Sequence, residues 1–536
     1  MSVNVPSSPR LSDASNAFLK PTMLENASQF RAEQVVQVNA ESFIQNDSRY
    51  QAGGSSTVQI NALTYNHHEI RSPSSLARLC QNIAVAALHN SAERCNAPTC
   101  FHETRKKVQD DIVNWISSEG RGHEAKRILW LTGPAGAGKT AIMGTLSEKF
   151  NEMGDLAATF FFSSLGGRTH RSSKSRFVTT IAYQLHQHSA LAGQAFSERV
   201  LSTIEERPEV FGMRLEEQLE ALILGPLRCY AARGDNESPP LPRVIVIDGL
   251  DECDLDESLH YSSPRTKEDE QEEVLSILLR AVTDEAFPFR IILASRPEIS
   301  IRRFFENQAA NRYAEIFLDD KYNPDQDIAL FLSSKFAELR QRHAHLPTYW
   351  PSEEDFDKLV RNASGQFIYA ATVVRFISTP TNPPQVQLKI ILQLLPPDSG
   401  GNPLGPLDAL YTSILMSSPR PQDTALWLQA YRIILKRCRV KEIGTSAWVF
   451  DRFFESYPGQ AQLILGLPSL IYVNSGRQHG HQSPDSITDG TYDFYHKAFL
   501  DFLGDRRRSK HLPDTNDWQI DEWICRRFGT VLQPTL

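Results

Sequence analysis

The chain has 536 residues, 41% of them hydrophobic and 22% charged, enough to build several globular cores. With 56 Lys and Arg against 64 Asp and Glu the formal charge is −8, which gives no reason to expect nucleic acid or an anionic membrane as the main partner. The opening Met1-Ser2-Val3-Asn4 stretch lacks the basic and apolar regions of a signal peptide, no apolar run approaches the ~20 residues of a membrane helix, and seven scattered cysteines fit reduced thiols, so a soluble cytoplasmic protein is expected.

Residues 1–75 are rich in Ser, Asn, Gln and Pro, show no sustained period, and read as a largely disordered segment. Residues 76–122 form a linker and preamble, with an apolar helix expected over 75–88. Cys95, Cys100 and His102, with His89 nearby, invite a zinc site, but a closed site wants four ligands at recognised spacings and this pattern does not supply them. Thr104 and Arg105 then lead an amphipathic helix carrying Val108, Ile112, Trp115 and Ile116 on one face, expected to pack beside the strand that follows.

That strand, Ile128, Leu129, Trp130 and Leu131, runs into Gly133, Pro134, Ala135, Gly136, Ala137, Gly138, Lys139 and Thr140. G-x-x-x-x-G-K-T is a phosphate-binding loop: the glycines let successive N–H groups turn inward onto a di- or triphosphate, Lys139 adds a full charge, and Thr140 offers a hydroxyl to Mg²⁺. All eight residues are candidate nucleotide contacts, and the N-terminal end of a helix over 140–150 adds its dipole. The alternative, a Gly-rich surface turn, is disfavoured by the buried run before the loop and by Ile142, Leu146 and Phe150 at helical spacing behind it.

A second strand is expected over 156–162, a polar loop over 163–175, and helices over 177–185 and 215–224. Residues 243–247 are almost all β-branched, as befits a strand covered on both faces, and they end in Asp248, Gly249, Leu250, Asp251 and Glu252. An acid at a strand end downstream of a P-loop is the Walker B arrangement, with Asp248 a candidate Mg²⁺ ligand beside Thr140. Asp251 and Glu252 are candidates to orient water, or else Asp251 or Asp254 caps the next helix. The acidic run 266–273 reads as a solvated loop and helix start. A fourth strand over 290–294 ends in Ser295, Arg296, Pro297 and Glu298; Arg296 is either a surface residue before a proline or a phosphate sensor, and its place beyond a strand end favours the sensor. Residues 313–318 are a candidate fifth strand, closing a P-loop domain over 123–320.

A helical domain is expected over 321–423, with helices over 325–336, after the capping residue Ser352, over 365–377, and over 386–395 between two turn-rich clusters. Residues 424–510 mix helices with a hairpin over 469–473 and 491–495, which suggests a winged helix. His496 heads a helix bearing Phe499, Phe502 and Leu503, Arg506 to Arg508 read as a solvated helix end, and 511–536 form a tail. The expected fold is therefore α/β: a parallel-sheet P-loop NTPase core followed by an α-helical domain and a winged-helix domain.

The P-loop, Ile247 to Glu252, Ala294 to Glu298, Phe367 to Thr372 and Tyr495 to Phe502 together resemble a fungal NACHT protein of the STAND class, and the P-loop region is similar to the nephrocystin-type N-terminal domain, over roughly 95–503. The resemblance implies a signal-transducing ATPase whose three parts close around ADP and open for self-association on exchange for ATP, in immunity-like or cell-death signalling with a protein partner that the sequence does not identify. It implies Lys139 on phosphate, Thr140 and Asp248 on Mg²⁺, Asp251 and Glu252 on the attacking water, Arg296 on the γ-phosphate, and His496 on the β-phosphate of ADP. Nothing in it separates ATP from GTP. The chain departs from the pattern at Asn90-Ser91, where many relatives have Asp-Ser, and at Gly365-Gln366-Phe367-Ile368, where related switches often place a proline near adenine. Neither an effector domain nor a repeat array is evident. Two other readings stand beside the switch: a nucleotide-bound scaffold that does not hydrolyse, and a P-loop kinase of small substrates, for which no second-substrate motif is apparent.

Overall fold

The computed structural model describes residues 73–118, 126–165, 170–233, 240–256, 264–380, 382–394, 403–437, 447–475, 490–510, 512 and 517–532. The segment 1–72, residues 166–169 of the expected polar loop and the tip of the expected hairpin lie outside them. Residues 73–536 form one compact unit.

Its N-terminal half is built on five parallel strands: β1 Ile128–Thr132, β2 Leu156–Phe161, β3 Val244–Asp248, β4 Arg290–Ser295 and β5 Tyr313–Phe317, in the order β2-β3-β4-β1-β5. All five coincide with strands expected from the sequence, the first four as apolar runs and the fifth as a candidate over 313–318. The first four are buried along nearly their whole length, whereas β5, at the edge, is half-exposed. Side chains alternate between the two faces. Ile128, Trp130, Phe160, Ile245, Ile247, Ile291 and Leu293 join one apolar cluster. Leu129, Leu131, Phe161, Val246, Ile292 and Ala294 join the other.

The first cluster is closed by α4 Phe177–Gln187, α5 Ala195–Glu206, α6 Leu215–Leu219, α7 Gly225–Arg233, α8 Lys267–Thr283 and α9 Ile299–Asn307, and by Leu79 of α1 Ser75–Gln81. The second is closed by α2 Lys106–Ser117, through Val108, Ile112 and Ile116, and by α3 Lys139–Glu152. Trp130 stacks on Phe305 at 4.6 Å and satisfies its indole N–H by donating to Ser295 Oγ at 2.8 Å, which ties the middle of β1 to the end of β4.

Several local expectations change. The helix expected over 75–88 stops at Gln81, because the Ala84 N–H is taken by Thr180 Oγ1, and only a short 3₁₀ turn, Val85–Ala87, follows. Neither Asp251 nor Asp254 caps α8: Thr266 does, in a capping box with Asp269. The acidic run that begins α8 is only partly solvated, since Glu270 is fully buried between Lys174 at 3.2 Å and Arg265 at 2.6 Å. α5, for which the sequence reading gives no element, carries Phe196, Val200 and Ile204 at the four-residue spacing of a helix.

Beyond β5 come α10 Pro324–Arg342, α11 Glu353–Ala363, α12 Phe367–Ile377, α13 Pro384–Gln393, α14 Gly405–Met416, α15 Pro421–Arg437, α16 Ala447–Phe454 and α17 Gln460–Leu465. An antiparallel pair, β6 Ile471–Ser475 with β7 Gly490–Phe494, leads to α18 Lys497–Gly504, and α19 Asp517–Leu532 ends the described chain. Ser352 accepts from the Asp355 N–H, as a capping residue should. One apolar cluster runs through this half from Ile328 to Ile520. Arg508 is not a free helix end: its guanidinium grips Asp408 of α14, with Nη2 donating at 2.7 Å. Among the described residues no helix is long and apolar enough to cross a membrane.

Candidate functional site

The parallel register brings three strand ends to one edge, because Thr132 of β1 pairs with Ser295 of β4, and Asp248 of β3 pairs with Ala294. A parallel α/β sheet binds ligands outside its carboxyl ends. Because β4 lies between β1 and β3, Arg296 emerges between the P-loop and the Asp248 strand.

Gly133 and Gly138 flank the loop, and Gly138 takes the left-handed conformation at φ +91° as N-cap of α3. Gly136 has φ +78°, and a Cβ there would lie 2.2 Å from Ile368 Cγ2, so the start of α12 sits directly on the phosphate loop. Lys139 Nζ donates to the Gly133 and Pro134 carbonyls at 2.8 and 3.0 Å. These neutral acceptors leave its charge uncompensated, and burial draws its pKa down to about 8 against the pull of Asp251. A phosphate would supply the missing counter-charge.

Asp248 is buried, and burial pushes its carboxyl up to about 7, although the Arg94 guanidinium and a hydrogen bond with Thr140 oppose the shift. That bond brings together the two residues singled out for Mg²⁺. Gly249 must be glycine: at φ +73° its Cβ would meet the Phe162 carbonyl at 2.8 Å. The turn it permits throws Leu250–Glu252 into a 3₁₀ turn beyond the strand. Asp251 Oδ1 accepts from the Arg296 N–H at 3.0 Å, and its Oδ2 faces Arg296 Nε at 3.3 Å. Glu252 turns the other way, accepting from the Ser164 N–H and hydroxyl at 2.8 and 3.0 Å.

His496 caps α18, its Nδ1 accepting from the Ala498 N–H at 2.9 Å, which leaves the proton of the neutral ring on Nε2. Burial, together with the charges of Arg296, Lys139 and Arg375, pulls its pKa down to about 3 against the opposing pull of Asp501. The resemblance implies His496 on the β-phosphate of ADP. In this arrangement the imidazole is neutral and can donate only through Nε2. Further along the same helix, Asp501 accepts from Arg296 Nη1 at 2.7 Å. The chain near 500 is thus folded back onto the chain near 139 and 296.

Four further residues of the site had been assigned no role from sequence. Arg105, in a left-handed conformation at φ +57°, donates from Nη2 to the Ala137 carbonyl at 2.9 Å and lies 4.9 Å over the Phe367 ring. Its own N–H donates to Asp327 of α10 at 3.0 Å, so it joins the preamble, the P-loop and both flanking helices. Arg94 lies 3.6 Å over the ring of Phe161, the register partner of Asp248. Arg375 covers the Tyr495 ring at 4.3 Å. Asp501 alone carried a signal, being five residues beyond His496 on a helix already recognised. The zinc candidates do not converge: Cys95 and His102 are exposed, and among the described residues no group of three or more His, Cys, Asp or Glu could hold a metal ion.

Residues 107–296, from α2 through Arg296, match the family model described as Nephrocystin 3, N-terminal. The parallel sheet, the loop and Asp248 give this part of the chain the fold of a P-loop NTPase core. No curated protein matches the chain. Solved structures that align include the Aeropyrum pernix ORC2 protein in ADPNP-ADP complexes, with 12% identity, TM-score 0.30, and 81% of this chain over 97% of that one. Drosophila ORC bound to DNA aligns with 11% identity, TM-score 0.26, and 76% over 96%. C. elegans PCH-2 aligns with 14% identity, TM-score 0.28, and 54% over 69%. Superpositions this loose assign no function.

Proposed function

We propose that this chain is a nucleotide-operated switch of the STAND type, binding ATP or ADP with Mg²⁺ at the P-loop and closing α12 and α18 over it. The helices around the β6–β7 hairpin serve as the winged-helix lid. The observation that carries this reading is the position of α18, whose His496 and Asp501 lie with Lys139 and Arg296 despite more than 200 intervening residues. Gly133 to Thr140 would cradle the phosphates, Thr140 and Asp248 would hold Mg²⁺, and His496 would donate from Nε2 to the terminal phosphate of a diphosphate. The metal supplies charge neutralisation on the phosphate oxygens. Loss of these contacts on exchange for a triphosphate would free the lid and expose surfaces for self-association.

Equilibrium binding together with sedimentation in Mg²⁺-ADP and in a non-hydrolysable Mg²⁺-ATP analogue tests the reading. The parent should bind both and sediment as a larger or more open species with the triphosphate. Lys139→Ala removes charge-assisted contacts worth about 1.5–3 kcal/mol and should lower affinity tenfold or more. Equal affinity in parent and variant, or one sedimentation profile throughout, contradicts it.

The scaffold reading has one observation in its favour: Asp251 is engaged by Arg296 and Glu252 by Ser164, so both candidate water-orienting carboxylates are occupied. Single-turnover hydrolysis decides between the two, since a scaffold binds ATP and returns it intact.

A further inference from the structure

Arg296 joins two distant parts of the chain through one guanidinium. Nε faces Asp251 at 3.3 Å and Nη1 donates to Asp501 at 2.7 Å, the latter pair with side chains only 25% and 29% exposed. Burial works against the Arg296 cation, yet Asp501, Asp251 and Glu252 outweigh it and hold its pKa above the usual guanidinium value. Asp501 is not free to wander. Ala498, Phe499, Phe502 and Leu503 are buried on the same short helix, which fixes its rotation and keeps Asp501 against Arg296.

We propose that Asp501 is a specificity-determining residue that makes the docked α18 discriminate against a third phosphate. An anion reaching from Lys139 towards the end of β4 competes for the Arg296 guanidinium that Asp501 engages through Nη1, and does so beside a carboxylate of its own sign. A diphosphate extends less far along this line and leaves the Arg296–Asp501 pair intact. The same helix therefore carries a group that favours a diphosphate, His496, and a group that disfavours a triphosphate, Asp501. This inference rests on the switch reading above and names the residue that makes it selective.

The test is a titration of the full chain with Mg²⁺-ADP and with a non-hydrolysable Mg²⁺-ATP analogue, for the parent, Asp501→Asn, Asp501→Glu, Arg296→Gln, and Asp501→Asn combined with Arg296→Gln. Asp501→Asn preserves shape while removing charge, and should raise affinity for the triphosphate relative to the diphosphate by roughly tenfold or more. Asp501→Glu should keep the parent ratio to within about threefold. In the Arg296→Gln background the Asn substitution should move the ratio clearly less than in the parent, because the pair it breaks is already gone and only the like-charge repulsion remains. If Asp501→Asn leaves the ratio unchanged, or weakens both nucleotides equally, the discrimination is not in Asp501 and this proposal falls while the nucleotide site stands. If the parent binds neither nucleotide, the switch reading falls and takes this proposal with it.

Discussion

Two ionisable groups in the site are displaced in opposite directions, and their pH signatures oppose each other. His496 titrates at about 3 in the folded chain against an ordinary 6.5, so between these values the unfolded chain holds a proton that the folded one lacks. Its contribution to stability therefore falls as pH drops through that window. Asp248 titrates at about 7 in the folded chain against an ordinary 3.8, so here the folded chain holds the extra proton and its contribution rises as pH drops. Over the shared window the slopes, each up to about 1.4 kcal/mol per pH unit, largely cancel in the parent. Asp248→Asn should therefore lose about 1–2 kcal/mol more than the parent on acidification from pH 6.5 to 5.0, and His496→Asn should gain by a similar amount. Urea midpoints of the three proteins at both pH values check this, and parallel profiles would contradict it. Lys139, Thr140 and Asp248 were legible from spacing alone, because a phosphate loop and a strand-end acid are local patterns. Arg94 and Arg105 were not, since each acts across a tertiary contact, over Phe161 and against Ala137, that no local window contains.

Among the elements, α18 carries both His496 and Asp501 to the site. Eight residues make a helix too short to persist by itself, so tertiary packing must hold it. Phe502 is fully buried and lies 5.4 Å from Tyr411 and 6.3 Å from Phe499. Phe502→Ala should cost about 3–5 kcal/mol and leave a cavity beneath the helix. Because His496 and Asp501 ride on the same helix, ADP affinity should fall with stability, which a urea titration and a binding isotherm on the same variant would show. A loss below about 1 kcal/mol with unchanged ADP affinity would mean that α18 is not the lid. The strands were readable because continuous apolar runs mark strands buried on both faces. The early end of α1 was not, because it depends on Thr180 reaching back to Ala84 across 96 residues. Burial of Glu270 likewise depends on Lys174, from a loop that sequence could only describe as polar.

For the whole molecule, the sheet supplies a rigid edge on which β1, β3 and β4 end, and the C-terminal half brings a second apolar core down onto that edge. The contacts between them include polar pairs and a close backbone approach: Arg296 with Asp501, Arg105 with Asp327, and Gly136 beneath Ile368. Such contacts are the kind that a bound polyphosphate can outcompete, whereas the cores on either side are not. The central claim is that the number of phosphates sets whether α18 stays docked. Hydrogen exchange across 497–504, measured in Mg²⁺-ADP and in a non-hydrolysable Mg²⁺-ATP analogue, tests it most directly. Exchange should be at least about tenfold slower with the diphosphate than with the triphosphate analogue, with equal protection of β1, β3 and β4 in both. Protection of α18 that is the same in both nucleotides would contradict it.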